Sequence, residues 1–375
     1  MVIAPDSFKG SLTALEAAQA MASGVRRVFP AAQLRLFPLA DGGEGTLDAL
    51  LHAGGGERRR TRVTGADGRT IEADWGVLPD GDHPIAVIES AQVVGLALAR
   101  DSDVAHRSTR GIGELIRHAL DTGLTRLLIG LGGTSTNDGG AGLLTALGVR
   151  LLDDRGATLA PTPAGLARLK RVDFTGLDAR VARCEFTALT DVDNPLVGPA
   201  GATATFGPQK GVVPEAIAEF DARLSRLAAL CDAWAGRPVS REPGAGAAGG
   251  LGYALLLIGA RREPGARVVC ERVGLPQAVA AADWVLTGEG RSDAQTLHGK
   301  LPLEVARLAH ARGVPVTLIS GRIDEAARPL LQAHFDGCFE AAPATLPLAI
   351  ALARAAQLLS DAAQEAARAY RARCH

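Results

Sequence analysis

The chain has 375 residues, 47% of them hydrophobic, which is enough for two domains with sizeable cores. Its 40 basic and 41 acidic side chains nearly cancel, and a net charge of −1 gives no general attraction to nucleic acid or to an anionic membrane surface. The five cysteines are scattered without a C-x-x-C pair, a pattern of reduced thiols that speaks against a disulfide framework or a zinc site.

The opening "MVIAPDSFKG" lacks the basic start and the longer apolar stretch of a signal peptide, and apolar runs such as "YALLLIGA" fall far short of the about 20 residues of a membrane span. A cytoplasmic protein is expected. "VIAP" reads as a short strand. Thr13 and Glu16 form a capping-box pair that starts an amphipathic helix running to about Val28. "QLRLFPLA" reads as a second strand and "GEGTLDALLHAG" as a second helix. Residues 61–98 alternate as a β-meander with turns at "GADGR" and "PDGDHP". A helix at about 110–122 follows, then a strand at 125–131 and a helix over 214–234, with Pro214 near its start and Ile217, Phe220, Leu224 and Leu227 on one face. "DWVLTG", "VPVTLIS" and "GCFEAA" read as strands separated by helices, and the Ala-rich end at about 346–372 as a closing helix. Strands separated by helices argue for a parallel sheet covered on both faces.

Chemistry concentrates at glycine. "GGTSTNDGGAG" (132–142) follows the apolar run "LTRLLIGL" and contains five glycines, more than a turn requires. A backbone without Cβ atoms lets an anion come close to amide groups. Acid lies beside glycine in "ADGGEGT" (Asp41, Glu44), "NDGGAG" (Asp138), "TDVDNP" (Asp191, Asp193) and "GEGRSDAQT" (Glu289, Asp293), mostly just past an apolar strand. Strand ends of an open α/β sheet face the ligand crevice. Carboxylates there can hold Mg²⁺ or orient a hydroxyl. Only four of the 40 basic residues are lysines, and Lys9, Lys210 and Lys300 each adjoin or nearly adjoin a glycine, whereas Lys170 sits in "LARLKRV". A lysine ammonium suits a phosphate oxygen in a tight pocket. There is no P-loop sequence, and "GAGAAG" (244–249) matches a dinucleotide fingerprint only in letters, since "GRPVSREP" before it is no strand. Together these features suggest Mg²⁺-assisted phosphoryl transfer. Two other readings are an anion-binding regulatory protein without turnover and a dehydrogenase using "GAGAAG".

The strings "APDSFKGSLTALEAA", "PLADGGEGT", "IGLGGTSTNDGGAG", "TDVDNPLVGPAGA", "FGPQKG", "GAGAAGGLG" and "TGEGRSDAQTLHGK" occur in this order along residues 4–300, and "VPVTLISG" continues them. The chain resembles the bacterial glycerate kinase family, of the type that phosphorylates D-glycerate with ATP, over essentially its whole length. It departs from that family's pattern in "STRGIGELI", where a Ser-Tyr-Gly sequence is commoner, and in "TDVDNPL", where a Cys-Asp form is commoner. The resemblance implies two α/β domains. A flavodoxin-like parallel-sheet domain would be split in sequence over 1–60 and 283–375, and a mixed α/β domain would be inserted at 61–282, with the reaction between them. It implies ATP and Mg²⁺ as cofactors and D-glycerate as the small-molecule partner, in a monomer or homodimer, with 2-phosphoglycerate favoured over 3-phosphoglycerate as product. Lys9, Asp41, Asp191 and Asp293 are the candidate catalytic residues, and Asp191 and Asp293 the candidate metal ligands. Candidates for holding substrate or phosphate are Ser7, Gly43, Glu44, Thr134, Ser135, Asn137, Asp138, Asn194, Lys210, Gly246, Glu289, Arg291, Gln295 and Lys300.

Overall fold

The structure is a computed structural model that describes residues 1–99, 101–297, 300–343 and 345–373; of Gln295 only the backbone is described. Two sheets organise it. Their strands are β1 (Val2–Ile3), β2 (Arg35–Leu36), β3 (Glu57–Thr64), β4 (Thr70–Leu78), β5 (Ile85–Glu89), β6 (Arg126–Gly130), β7 (Glu185–Leu189), β8 (Arg261–Glu263), β9 (Val285–Thr287), β10 (Val316–Ser320) and β11 (Gly337–Glu340). The chain divides into two compact units: Met1–Asp41, Asp48–Gly54 and the stretch from Gly265 onward form one, and Gly42–Leu47 with Gly55–Pro264 the other.

The first unit contains a five-stranded sheet, parallel throughout, in the order β11-β10-β9-β1-β2. Renumbered within the unit this is 2-1-3-4-5, the flavodoxin-like order, whose direction reverses between β1 and β9. The helix Ala14–Arg26 starts as its sequence requires: Thr13 Oγ1 accepts from the Glu16 amide (3.2 Å), and the Glu16 carboxylate accepts from the Thr13 amide (2.8 Å). It ends two residues before the expected Val28. Its buried face, with Met21 and Val25, packs with Ile3, Trp284, Leu286 and Ile319 of the sheet and with Ala363 and Ala366 of the last helix. Each large apolar side chain so enclosed contributes about 1.5–3 kcal/mol. The expected single closing helix is two, Leu348–Ala353 and Ala355–Arg373, interrupted at Arg354.

The second unit holds a six-stranded sheet in plain chain order, β3 to β8. The β3-β4-β5 part is the antiparallel meander, and β5 to β8 run parallel. The switch follows from the connections. Turns join the meander strands, while the helix Arg110–Asp121 lies between β5 and β6 and permits the parallel crossover. The core gathers Trp75, Ile88, Ile112, Leu115, Ile129, Leu143, Leu227 and Tyr253. Among the described residues no helix is long and apolar enough to cross a membrane.

Candidate active site

In each unit the candidate residues collect where parallel strands end. The first unit collects acid. Asp6 follows β1 at the point of reversal, its amide donating to the Gly288 carbonyl (2.8 Å) and its carboxylate accepting from the Ser7 amide (2.6 Å). Burial of the carboxyl, then the neighbouring Asp41, and then Glu289 drive its pKa well above the usual carboxylate range, against the pull of the Ser7 hydrogen bond. Glu289, just past β9, is buried; its Oε1 accepts from Ser292 Oγ (2.8 Å) and Thr296 Oγ1 (2.6 Å). Ser292 Oγ also lies 2.6 Å from Ser320 Oγ at the end of β10. Burial raises the Glu289 pKa despite these hydroxyls and the positive charge of Lys300, with Asp293 adding to the rise. Ser7, Lys9, Asp41, Glu289, Arg291, Asp293 and Lys300 thus all lie at this one end of the unit. Lys9 and Arg291 are exposed there, and Asp41, Asp293 and Lys300 half-buried.

The second unit collects glycine and cationic groups. Glu89, Gly130 and Leu189 stand level at the ends of β5, β6 and β7, so that Ser90, Leu131 and Thr190 open three adjacent loops. The loop 132–142 enters from β6. A Cβ on Gly132 would lie 2.4 Å from the Gly43 Cα, and the Gly132 amide donates to the Gly42 carbonyl (3.2 Å), so two of the glycine-rich strings meet backbone to backbone. Glu89 accepts from the Leu47 amide (3.0 Å) at the start of the helix Thr46–Gly54, where a carboxylate offsets the helix dipole. Glu44 is exposed nearby in sequence.

Beyond Gly133 the loop is buried and tied from within. Asp138, fully buried, accepts from the amides of Thr109 (2.8 Å), Gly140 (3.0 Å) and Gly142 (3.1 Å) and from Thr109 Oγ1 (2.8 Å). Burial outweighs these four bonds and raises its pKa. Lys210 Nζ donates to the Thr136 carbonyl (2.8 Å) and to Thr134 Oγ1 (3.3 Å). The Arg107 guanidinium donates to the carbonyls of Ser135 (3.1 Å) and Lys210 (2.9 Å). Ser135 Oγ donates to the Val94 carbonyl (2.9 Å), and Asn137 Nδ2 to Thr203 Oγ1 (2.9 Å). Asn194, on the loop after β7, donates to the Ala200 carbonyl (2.7 Å) and to Thr205 Oγ1 (3.2 Å), and its own carbonyl accepts from the Gly246 amide (2.8 Å). Asp191 lies on that loop, partly buried. The string "GAGAAG" follows a short 3-10 turn, Val239–Arg241, and not a strand. Its end packs against the glycine loop: a Cβ on Gly249, at φ +68°, would sit 2.0 Å from the Thr136 carbonyl oxygen. These glycines serve close packing, which removes the structural ground for a dinucleotide fingerprint.

The structure therefore places the candidates in two groups, with Asp191 in one unit and Asp293 in the other. The Gln295 side chain, like His298 and Gly299 of the "LHGK" string, lies outside the described residues. Sequence reasoning passed over Asp6, Glu89, Arg107, Thr109, Ser292 and Thr296. Asp6 carried a usable signal, an acid directly after a strand and next to the Ser7 and Lys9 already singled out, and Ser292 and Thr296 lie inside the string "GEGRSDAQT"; Glu89 and Arg107 carried none.

Residues 1–371 match the Glycerate kinase family as a whole. The chain belongs to the glycerate kinase family. It is 44% identical over 370 residues to a glycerate kinase of Bacillus subtilis (strain 168), covering 98% of this chain and 96% of that one. A glycerate 2-kinase of Escherichia coli (strain K12) is 42% identical over 342 residues, 90% of this chain and 89% of the relative. The crystal structure of a Salmonella typhimurium LT2 protein assigned as glycerate kinase 2 superposes with a TM-score of 0.83 at 42% identity, covering 99% of this chain and 98% of that one. Membership of the glycerate kinase family makes this protein a kinase.

Proposed function

We propose that this enzyme transfers the terminal phosphoryl group of ATP to a hydroxyl of D-glycerate, with the 2-hydroxyl favoured. The observation that carries the reading is the family match over residues 1–371, and the E. coli relative named as a glycerate 2-kinase supports the choice of hydroxyl. In the reaction the glycerate O–H bond gives way to an O–P bond, the bond between the γ-phosphorus and the ADP oxygen breaks, and the hydroxyl proton passes to a base. Asp6 and Asp41 are the groups this reading assigns to that proton. A carboxylate made more basic by burial and by a neighbouring carboxylate is better matched to general-base work than an ordinary one. Glu289, fixed by Ser292 and Thr296, would hold the cluster's geometry. Lys9, Lys300 and Arg291 would meet phosphate or carboxylate oxygens at the same end of the unit. In the other unit the loop 132–142 would present backbone amides and the Thr134 hydroxyl to an oxyanion.

Mg²⁺ bound with ATP would offset the charge of the phosphates, and Asp191 or Asp293 would hold it. Among the described residues no three His, Cys, Asp or Glu side chains are grouped to hold a metal ion. A Mg²⁺ carried by phosphates needs only one or two protein carboxylates, so the single carboxylates Asp191 and Asp293 suit that role chemically. The test is ADP release in a coupled assay with D-glycerate, with and without a chelator. Release that requires both D-glycerate and Mg²⁺ is expected. ADP formation indifferent to D-glycerate would overturn the assignment.

A further inference from the structure

The buried side of the glycine loop carries an excess of positive charge. Lys210 is 4% exposed and Arg107 6%, and the fully buried Asp138 is the acid whose charge acts on Lys210. Asp103, the acid whose charge acts on Arg107, is exposed. Of the two enclosed cations only Lys210 has an enclosed carboxylate acting on it, and such a set is costly unless further negative charge completes it. Neither cation is open to a ligand, because both are buried and bonded to protein oxygens. Lys210 holds Thr136 O and Thr134 Oγ1, and Arg107 holds Ser135 O. Since Thr134 Oγ1 accepts from an ammonium, its own proton is turned away from Lys210. Among the described residues that hydroxyl donates to no acceptor, and the amides of Gly133 and Thr134 donate no hydrogen bond within the protein. Gly133 is exposed, so the unengaged amides of Gly133 and Thr134 stand at the end of the loop that reaches solvent. A hydroxyl that accepts from a cation is a stronger donor in turn.

We infer that Lys210 is a positioning residue that acts on a bound oxyanion, a phosphate or a carboxylate, through the hydroxyl of Thr134 and without touching the anion. This rests on the phosphoryl-transfer reading for the identity of the anion, which would be ATP or D-glycerate. It also makes binding consume a proton. Burial, with Arg107 adding to it and Asp138 opposing, lowers the Lys210 pKa to about 7. An anion on the far side of Thr134 favours the ammonium, so the anion binds the protonated protein more tightly.

Calorimetric titration of ATP and of D-glycerate, each alone, between pH 6 and pH 9 in two buffers of different ionisation enthalpy reads both affinity and proton uptake. For one of the two ligands the wild-type affinity is expected to fall about tenfold from pH 6 to pH 8, with proton uptake approaching one per site. Which ligand shows the slope tells which anion the loop holds. Lys210→Met should lose about tenfold in affinity at pH 6 and bind without pH dependence above it. Lys210→Arg, where it folds, should keep affinity to pH 9 because arginine does not titrate there. Thr134→Val should reproduce the Lys210→Met loss while Thr134→Ser restores binding. The inference is overturned if the wild type binds both ligands without proton uptake, if the slope survives in Lys210→Met, or if Thr134→Val binds as the wild type does. Glycerate-dependent turnover is measured separately. Proton-linked binding without turnover would sink the functional reading alone, and turnover with proton-independent binding would sink this inference alone.

Discussion

The two units place opposite charge at the same architectural position. At the strand ends of the first unit Asp41 and Glu289 lie close enough to raise the proton affinity of the buried Asp6 carboxyl, with hydroxyls fixing Glu289. At the strand ends of the second, Lys210 and Arg107 sit beneath a glycine loop and hold its carbonyls. Parallel strands ending in loops provide only a place. The sign of the chemistry is decided by which side chains are enclosed behind those loops and by what they are bonded to. In the acidic cluster burial makes carboxylates more basic; under the loop it makes an ammonium more acidic. Both shifts bring groups that are ordinarily fixed in charge within reach of a proton exchange.

Removing the anchor of the cationic side should have the largest effect. Asp138→Ala would leave four donors without their acceptor and the buried Lys210 without its carboxylate, and a loss of about 3–5 kcal/mol in urea denaturation is expected. A variant as stable as the wild type would show that the loop's internal bonding is incidental. On the acidic side the effect should fall on rate. Asp6→Asn should lower kcat by about 10²-fold or more with little change in the denaturation midpoint, as loss of a general base would. Asp191→Asn and Asp293→Asn should do the same if they support the metal. Near-normal kcat in a folded Asp6→Asn protein would move the base elsewhere.

The fold was legible where pattern is local. The meander expected over 61–98 is three strands within 57–89, followed by a helical turn, the helix Arg110–Asp121 lies within the expected 110–122, and the strands β9, β10 and β11 fall inside the apolar runs that announced them. β1 and β2, at two residues each, are shorter than their strings because pairing with a neighbour and not composition decides where a strand stops. β8, "RRE", has no apolar pattern and exists through its pairing with β7. The candidate site was legible as strings and illegible as bonds. Arg107 meets the carbonyl of Lys210 across 103 positions, Leu47 meets Glu89 across 42, and Thr109 meets Asp138 across 29. One arginine among many, or a threonine before a helix, carries no mark of a partner so far along the chain. The glycine strings were readable because a missing Cβ is itself a signal of close approach, and Gly132 against Gly43 and Gly249 against Thr136 are such approaches.

Smaller effects separate the two regions further. Lys9→Arg and Lys300→Arg conserve charge on the acidic side, yet a planar guanidinium cannot reproduce an ammonium's contact. A loss of about tenfold in kcat/KM, about 1.4 kcal/mol, is expected for at least one of them, while Lys170→Arg should be silent. Equal behaviour of all three would make the scarcity of lysine a matter of composition.

The smallest effect is on stability against pH. An unfolded lysine keeps its proton to about pH 10.4, whereas Lys210 in the folded protein releases its proton at about 7. Between these values the unfolded state binds more protons, so the Lys210 contribution to stability rises with pH. The stability of the wild type relative to Lys210→Met should therefore improve by about 1 kcal/mol from pH 7 to pH 8, read from denaturation curves of both proteins. A gap that does not change with pH would mean that Lys210 keeps an ordinary proton affinity.

Phosphorus NMR of the product formed from D-glycerate and Mg-ATP tests the central claim most directly, because it reads the activity and the hydroxyl attacked in one spectrum. The account predicts a phosphomonoester on the 2-hydroxyl, a phosphorus coupled to the single proton of the secondary carbon. A phosphorus coupled to two methylene protons, marking the 3-hydroxyl, would contradict the regiochemistry, and ATP left intact in the presence of D-glycerate would contradict the function itself.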